Sequence, residues 1–406
     1  MKNDSAKLNF FPSLLSARIA GAVGLLVAGL LMANPALAQP VDDSPAADVV
    51  QLSYKELSRT IRENEAEINR LYTTMPIGNP ERQKSYLSKI DKLTKTNNQL
   101  RTKLDDAAIA SFRANPTENP VAARIVYKSV MSKLDPIDIN SHFDPRSAQQ
   151  MGLMMLQSIE DPELWPETID YPNLVYQVFR ASFAIEDFQT ADGMLQKLEA
   201  INDSVKKTSI REQLDSAKER WNRELLIRRF ETNTNDLPRV KFETSDGDFV
   251  VELYENHAPQ TVANFVSLVE KNFYNDLEFF AVRPGEAVQT GCHKNNGTTD
   301  PGYRIKNELD REQLREHFAG TLSMVTEKDG TAGSQFLITH QPNPKIDGVN
   351  TVFGRVIEGM DVVLQLKTVD RTKSANGEAS KIIKASVVRK REREYKPTIA
   401  SNDGQR

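Results

Sequence analysis

The stretch Gly333–Ser334–Gln335–Phe336–Leu337–Ile338–Thr339, followed by Asp347–Gly348 and by Val352–Phe353–Gly354–Arg355–Val356, decides the fold of this chain. Both apolar runs have the length and composition of short buried strands. The Pro- and Asn-rich segment between the two runs predicts a loop. The pattern therefore predicts a region of short strands in the C-terminal part of the chain.

Short runs of the same kind flank this stretch on both sides. Residues 240–253 hold two apolar runs separated by Ser245–Asp246–Gly247–Asp248, which predicts a β-hairpin. Helical spacing predicts one helix over 259–273 and another over 360–366, and a last strand is predicted over 382–388. Many short strands with two helices are typical of a closed β-barrel.

The region before the strands has helical spacing instead. One heptad-like series runs over 54–71 and a second over 86–104, with the helix-breaking segment 75–80 between them. Asn64 and Asn97 interrupt the two apolar series. We expect an antiparallel helical hairpin in which these polar residues fix the register at some cost in stability.

Residues 117–230 have helical spacing throughout. The pattern of Ala184, Phe188 and Ala191 resembles the second half of a tetratricopeptide repeat, and an ordinary helical hairpin packed through small residues accounts for the same pattern. The last helix, around Trp221, is rich in Arg and Glu and is followed by a polar segment, 233–238, that predicts a domain boundary. The N-terminal region is therefore predicted to be all-α, a helical hairpin followed by a helical repeat-like segment.

The composition limits the functions to consider. With 406 residues the chain is expected to be multidomain. A net charge of −4 argues against nucleic-acid binding as the main function. Cys292 is the single cysteine, so no intrachain disulfide is predicted, and the five histidines show no metal-ligand spacing. No metal site is predicted.

The first 38 residues predict a signal peptide. Basic residues precede an apolar run over 19–32, and Ala36–Leu37–Ala38 fits the small-x-small cleavage pattern before Gln39. The run is shorter than the roughly 20 residues that a spanning helix needs, although an uncleaved membrane anchor is the alternative. We expect export, with the periplasm as the destination, and no membrane span after cleavage.

Residues 238–390 resemble the cyclophilin family of peptidyl-prolyl cis-trans isomerases (rotamases). Besides the stretch around Gln335, the motifs that carry the resemblance are Ala258–Pro259–x–Thr261–Val262–x–Asn264–Phe265, Phe273–Tyr274–Asn275–Asp276, Pro284–Gly285, Gln289–x–Gly291 and Leu322–Ser323–Met324. Each motif alone is weak, and their order and spacing together are specific. The resemblance implies a closed β-barrel with two helices and activity on X-Pro bonds in protein folding, without a metal or cofactor.

Several active-site positions of that family are changed here. The arginine that acts on the imide nitrogen is replaced by Ala281, and the histidine before it by Phe280. The aromatic and methionine walls of the proline pocket are replaced by Glu286 and Ala287. The resemblance therefore implies slow isomerisation or none.

Gln289 and Gln335 are retained and Ile346 replaces a leucine, whereas Leu337, Asn350 and Thr326 replace the phenylalanine, histidine and asparagine of the family. The resemblance implies a catalytic position at Gln289 and substrate-binding positions at Gln335, Leu337, Ile346, Thr326 and Asn350. Arg283 is a candidate substitute for the missing arginine, because in an extended strand it shares a face with Ala281 at an offset of roughly 6–7 Å. The alternative is a surface arginine paired with Glu286 or Glu278.

These observations together predict an organisation and two functions. The predicted divisions are a signal peptide (1–38), a linker with the helical hairpin (39–116), a helical domain (117–236), a cyclophilin-like domain (238–390) and a flexible tail (391–406). One expectation is an exported isomerase of reduced activity that acts on proline-containing polypeptides. The alternative is an inactive peptide-binding or scaffold module. In either case, the helical region is expected to bind a protein partner or to self-associate.

Overall fold

The computed structural model describes residues 54–400 except for 77, 137–141, 203–204, 206–208 and 369–378. The predicted signal peptide, most of the predicted linker and the last six residues therefore lie outside the described residues. Helices come first along the described chain, in the order α1 (Tyr54–Thr74), α2 (Pro80–Ala114), α3 (Pro120–Leu134), α4 (Pro145–Ser158), α5 (Tyr171–Ala184), α6 (Phe188–Ile201) and α7 (Ile210–Thr234). None of the helices within these ranges is both long and apolar enough to span a membrane.

Helices α1 and α2 form the predicted hairpin. Asn64 Nδ2 donates to Asn97 Oδ1 at 2.7 Å, and Asn97 Nδ2 donates to the carbonyl of Ile61 at 3.3 Å. Asn97 is buried among apolar residues of the seam. A buried amide must keep its hydrogen bonds, so this pair opposes sliding of one helix along the other. The predicted hairpin and the placement of both asparagines in its seam are confirmed.

Polar caps define where the next helices begin. The side chains of Asn79, Asn119, Asp144, Asp170 and Asp187 each accept a hydrogen bond from an N–H of the first turn, at the starts of α2 to α6. Four of these helices also have proline in the first turn, where its missing N–H costs nothing. Within the described residues, the prediction that the region 117–230 is helical is confirmed, with a short 3-10 helix at Pro162–Leu164 in the connection between α4 and α5.

A strongly curled antiparallel sheet follows. Its strands are β1 (Arg239–Thr244), β2 (Gly247–Leu253), β3 (Ala281–Arg283), β4 (Ala287–Thr290), β5 (Ile305–Lys306), β6 (Thr321–Thr326), β7 (Thr331–Thr339), β8 (Thr351–Glu358) and β9 (Ile382–Arg389). The order across the sheet is β3-β4-β7-β6-β8-β2-β1-β9, and β5 pairs with β7. Helices α8 (Pro259–Glu270) and α9 (Met360–Gln365) complete the domain, which we refer to as the barrel.

The two edges of the sheet meet next to β3 and β9. Glu278 and Lys381 form an isolated antiparallel bridge, and the N–H of Phe279 donates to the carbonyl of Ser380 at 2.9 Å. Aromatic rings fill the interior, with Phe265 and Phe336 in edge-to-face contact at 5.3 Å between centroids. The predicted closed barrel with two helices is therefore confirmed.

The end of the described chain packs on the barrel where the sequence predicted a flexible tail from 391. Tyr395 is buried, and its hydroxyl donates to Glu255 Oε2 at 3.1 Å. The N–H of Ala400 donates to the carbonyl of Arg304 at 2.8 Å. The aromatic ring and these bonds hold residues 391–400 in place, which differs from the expectation for this part of the tail.

The helical region and the barrel share a buried interface. Arg315 of the barrel, 1% exposed at its side chain, donates to Glu224 at 2.6 and 2.9 Å and to Glu231 at 2.5 Å, both on α7. The rings of Trp221 and Phe318 lie 4.9 Å apart across the same interface. Since the described residues form one compact unit, the helical region is part of the surroundings of any site on this side of the barrel.

Candidate substrate-binding site

Retained and replaced positions of the candidate site lie in one row across neighbouring strands. In the antiparallel register, Ala281 on β3 is opposite Gln289 on β4, Gln289 is opposite Leu337 on β7, and Leu337 is opposite Ser323 on β6. Residues directly opposite each other in a sheet share a face. Motifs that lie almost 60 residues apart in the sequence are therefore brought together on one face of the sheet, where Ser323 is buried and the other three residues are half-buried.

Alternation along β7 separates this surface from the core. Phe336 and Ile338 point inward and are fully buried, whereas Leu337 is half-buried on the opposite face. Gln335 lies on the same face as Leu337 because residues two apart in a strand share a face. The residues that build the barrel and those that form the outer groove therefore alternate one by one along the strand.

The two retained glutamines are hydrogen-bonded to each other. Gln289 Nε2 donates to Gln335 Oε1 at 3.2 Å, and Gln335 Nε2 donates to the carbonyl of Gly297 at 3.0 Å. The loop that follows β4 reaches Gln335 because Gly291, at φ +93°, brings its backbone against β7. A Cβ at Gly291 would lie 2.3 Å from the carbonyl oxygen of Ser334, so no larger residue fits there. Both amides are thus held in fixed orientations at the edge of the groove.

A thiol lies beneath the same loop. Cys292 is buried, and its Sγ lies 3.0 Å from Thr299 Oγ1. Burial alone raises the pKa of this thiol, but hydrogen bonds from Thr299 and from backbone N–H groups of the loop outweigh it and lower the pKa to about 6. The thiol faces the loop interior and contributes to its shape.

By the position of its motif, the loop over 343–350 is assigned as the other wall of the candidate groove, and it contains a 3-10 helix at Pro344–Ile346. The N–H of Thr326 donates to Asn350 Oδ1 at 3.1 Å, and the N–H of Asn350 donates to the carbonyl of Ile346 at 3.4 Å. This wall therefore brings the predicted residues Thr326, Asn350 and Ile346 together.

Position 281 provides no donor. Ala281 is half-buried on the groove side of β3. Arg283, two residues on, is opposite Ala287, and its side chain is 74% exposed with Glu286 Oε2 at 3.8 Å. The structure thus places Arg283 on the expected face and shows the predicted alternative, a pairing with Glu286. Its long and exposed side chain is free to reorient, because an exposed pair at this distance is worth little.

Two residues missed by the sequence interpretation support the turn that leads into β4. The N–H of Gly285 donates to His340 Nδ1 at 3.1 Å, and burial lowers the pKa of His340 to about 3, so the ring stays neutral and accepts. Phe143, from the helical region, is buried, and its ring would lie 3.3 Å from a Cβ at Gly285. No local sequence signal marks either residue, because both act through contacts with a distant segment.

Comparisons with known proteins identify the barrel. Residues 239–387 match the family model described as cyclophilin type peptidyl-prolyl cis-trans isomerase/CLD. A peptidyl-prolyl cis-trans isomerase of Synechococcus elongatus is 44% identical over 131 residues, which is 32% of this chain and 88% of that protein. Peptidyl-prolyl cis-trans isomerase B of Bacillus subtilis is 42% identical over 138 residues, which is 34% of this chain and 96% of that protein. A crystal structure of a cyclophilin type isomerase of Cryptosporidium parvum aligns at 25% identity with a TM-score of 0.34, covering 37% of this chain and 97% of that one.

Proposed function

Because this chain belongs to the cyclophilin-type peptidyl-prolyl cis-trans isomerase family, we propose that its barrel binds X-Pro segments of exported proteins and isomerises them slowly during folding. The observation that carries the proposal is the row Ala281–Gln289–Leu337. In this row Gln289 and Leu337 can hold a peptide, and an alanine stands at the position of the arginine that would act on the imide nitrogen.

Binding rests on two retained glutamines and on two apolar residues that replace those of the family. Gln335 and Gln289 are pre-oriented by their mutual hydrogen bond, so they offer amide groups to a peptide backbone at little entropic cost. Leu337 and Ile346 are partly exposed and provide an apolar floor for the proline ring. These features support affinity for a proline-containing polypeptide without any metal or cofactor step.

Slow turnover follows from the chemistry of the bond. The barrier to rotation is the loss of amide resonance, about 20 kcal/mol. A donor near the imide nitrogen stabilises the lone pair that forms as resonance is lost, and one such donor contributes roughly 10²–10³ in rate. Ala281 has no donor, and Glu286 and Ala287 do not provide the usual apolar walls.

A second candidate function is a peptide-binding or scaffold module without turnover. The same three replacements favour it, since binding and bond rotation rest on different residues of the groove. The two candidates differ in one observable, the exchange of cis and trans signals of a bound Ala–Pro peptide.

An exchange experiment tests both candidates. The full chain is added to an Ala–Pro peptide, and cis–trans exchange is measured by NMR alongside the affinity. We expect binding with exchange about 10² times slower than with an ordinary cyclophilin. An efficiency within about tenfold of an ordinary cyclophilin would contradict reduced activity. Binding without exchange would establish the scaffold function, and no binding would reject both candidates.

We further propose that residues 1–38 direct export to the periplasm and that the helical region binds a protein partner or a second copy. The basic, apolar and small-residue segments of the leader support the first point. The heptad hairpin and the exposed ring of Tyr72 support the second. Cell fractionation with determination of the mature N-terminus tests export. Sedimentation of the full chain tests self-association, and a monomer at all concentrations would remove the second-copy alternative.

A further inference from the structure

Substrate affinity depends on how the loop over 343–350 is held, because this loop carries Ile346 and Asn350. Two hydrogen bonds join this loop to the backbone of His317, which also belongs to the barrel. The N–H of Asn343 donates to the carbonyl of His317 at 2.9 Å, and the N–H of His317 donates to Asp347 Oδ1 at 2.8 Å. The ring Nδ1 of His317 also lies 2.7 Å from Asp347 Oδ1. One carboxylate oxygen of Asp347 is therefore fully used within the barrel.

The other carboxylate oxygen is bound from outside the barrel. Arg220 Nη1 donates to Asp347 Oδ2 at 3.1 Å, and Arg220 belongs to α7, 127 residues earlier in the chain. The side chain of Arg220 is 15% exposed, and its Nε donates to the carbonyl of Ser216 at 3.3 Å. Glu316 Oε2 lies 3.9 Å from the same Nε. Arg220 is thus held by its own helix and directed at the loop.

Helix α7 is a fixed support for this contact. Arg315 joins it to the barrel through Glu224 and Glu231, at positions further along the helix than Arg220. Trp221, the next residue, packs against Phe318 of the barrel. Because α7 cannot shift without breaking these buried contacts, the guanidinium of Arg220 stays in place relative to the groove.

We propose that Arg220 is a positioning residue for substrate binding, through which the helical region sets the geometry of the loop that carries Ile346 and Asn350. The proposal rests on the proposed function of the groove. Without Arg220, Asp347 keeps only its bonds to His317, and one oxygen of a largely buried carboxylate loses its partner. The loop then loosens, so a peptide must order it on binding. Rotation about the bound X-Pro bond does not involve Arg220 and is left unchanged.

The test compares matched arginine variants of the full chain. Arg220→Ala, Arg220→Lys and the control Arg223→Ala are titrated with an Ala–Pro peptide, and cis–trans exchange is measured at saturating protein. Arg223 is a suitable control because it is three residues away on α7, 60% exposed and 3.6 Å from Glu316. We expect Arg220→Ala to weaken binding about fivefold or more, Arg220→Lys to recover part of it and Arg223→Ala to stay within about twofold. The exchange rate at saturation should not change.

Each outcome decides the proposal. Equal affinities of Arg220→Ala and Arg223→Ala would overturn it while leaving the proposed function intact. A loss of exchange rate at saturation, with unchanged affinity, would also overturn it. If the wild-type chain binds no peptide, the proposed function fails and the inference fails with it. If Arg220→Ala does not fold, Arg220→Gln, which keeps the apolar stem and removes the charge, is measured in its place and judged by the same criterion.

Discussion

In the proposed function, Ala281 places a methyl group at the position from which a donor would act on the imide nitrogen. Gln289 lies directly opposite Ala281, and Leu337 lies directly opposite Gln289. We therefore expect Ala281→Arg to raise the exchange rate by about 10² in the NMR assay. Ala281→Lys is the control, since an ammonium lacks the planar fork of a guanidinium. If Ala281→Arg binds peptide but exchanges no faster than the wild type, the loss of the pocket walls limits activity instead.

Arg283 is a cation on this edge of the groove. If it reaches toward the substrate, Arg283→Ala should lower any residual exchange by about tenfold or more, because a transition-state donor is removed. Lys271, exposed just beyond α8, provides the matched control as Lys271→Ala. An unchanged rate in Arg283→Ala would show that this arginine belongs to the rim and pairs with Glu286, as it does in the structure.

At the scale of elements, α7 carries the most consequential buried charges. Arg315 is 1% exposed and binds two carboxylates of this helix, and its guanidinium lies 3.6 Å from the ring of Tyr254. Arg315→Ala leaves Glu224 and Glu231 without this partner, which costs about 3–5 kcal/mol. A urea titration measures the free energy of unfolding, with Arg223→Ala as the exposed control, expected within about 0.5 kcal/mol of the wild type. If Arg315→Ala lowers the free energy of unfolding as little as the control does, water replaces Arg315 as the partner of the two carboxylates.

The contrast between α2 and α7 shows what the sequence predicts at this scale. The seam of the hairpin follows from local spacing, so the heptad pattern alone is enough to place Asn97 in it. In α7, Leu226 and Phe230 are 65% and 64% exposed, while Glu224 and Glu231 are buried. Their partner Arg315 is up to 91 residues away in the sequence, so no local spacing connects it with them. A helix rich in Arg and Glu also has the composition expected of a helix exposed to solvent. The burial of charges was therefore not predictable from periodicity.

For the whole molecule, we expect the stability of the fold to depend on pH through Glu186, at the contact between the helical region and the barrel. Glu186 Oε1 accepts the N–H of Ala319 at 2.6 Å, and burial raises the pKa of Glu186 to about 7 from 4.5, although this N–H opposes the shift. The folded protein binds this proton more tightly than the unfolded chain. The stabilisation from protonation is complete below the unfolded pKa of 4.5 and is lost as the pH rises to about 7.

Glu186→Gln should remove this part of the pH dependence. Between pH 5 and pH 8 we expect the wild type to lose on the order of 1 kcal/mol more stability than the variant, a modest figure because Glu186 is partly exposed. Urea unfolding at a series of pH values measures the difference. Parallel pH profiles for the two proteins would mean that Glu186 is ionised throughout.

The strand residues of the candidate site could be predicted from the sequence, whereas the residues that hold its loops in place could not. Gln289, Gln335 and Leu337 follow from motif order, since each motif fixes a strand whose neighbours are set by the fold. His340 and Arg220 act through tertiary contacts with distant segments. The Arg220 contact depends on how the helical region meets the barrel, and the His340 contact joins segments of the barrel 55 residues apart, so no local pattern indicates either one.

The burial of Arg315 in the interface also sets the order in which parts of the chain can fold. During synthesis, α7 leaves the ribosome before Arg315, which lies 84 residues beyond Glu231 and 91 beyond Glu224. Until then Glu224 pairs only with Arg228 of the same helix and Glu231 lacks Arg315, so the helical region is expected to mature in two stages, local hairpins first and the face of α7 last. Pulse-labelling hydrogen exchange during refolding would show late protection of the Glu224–Glu231 amides, and early protection there would contradict this sequence of events.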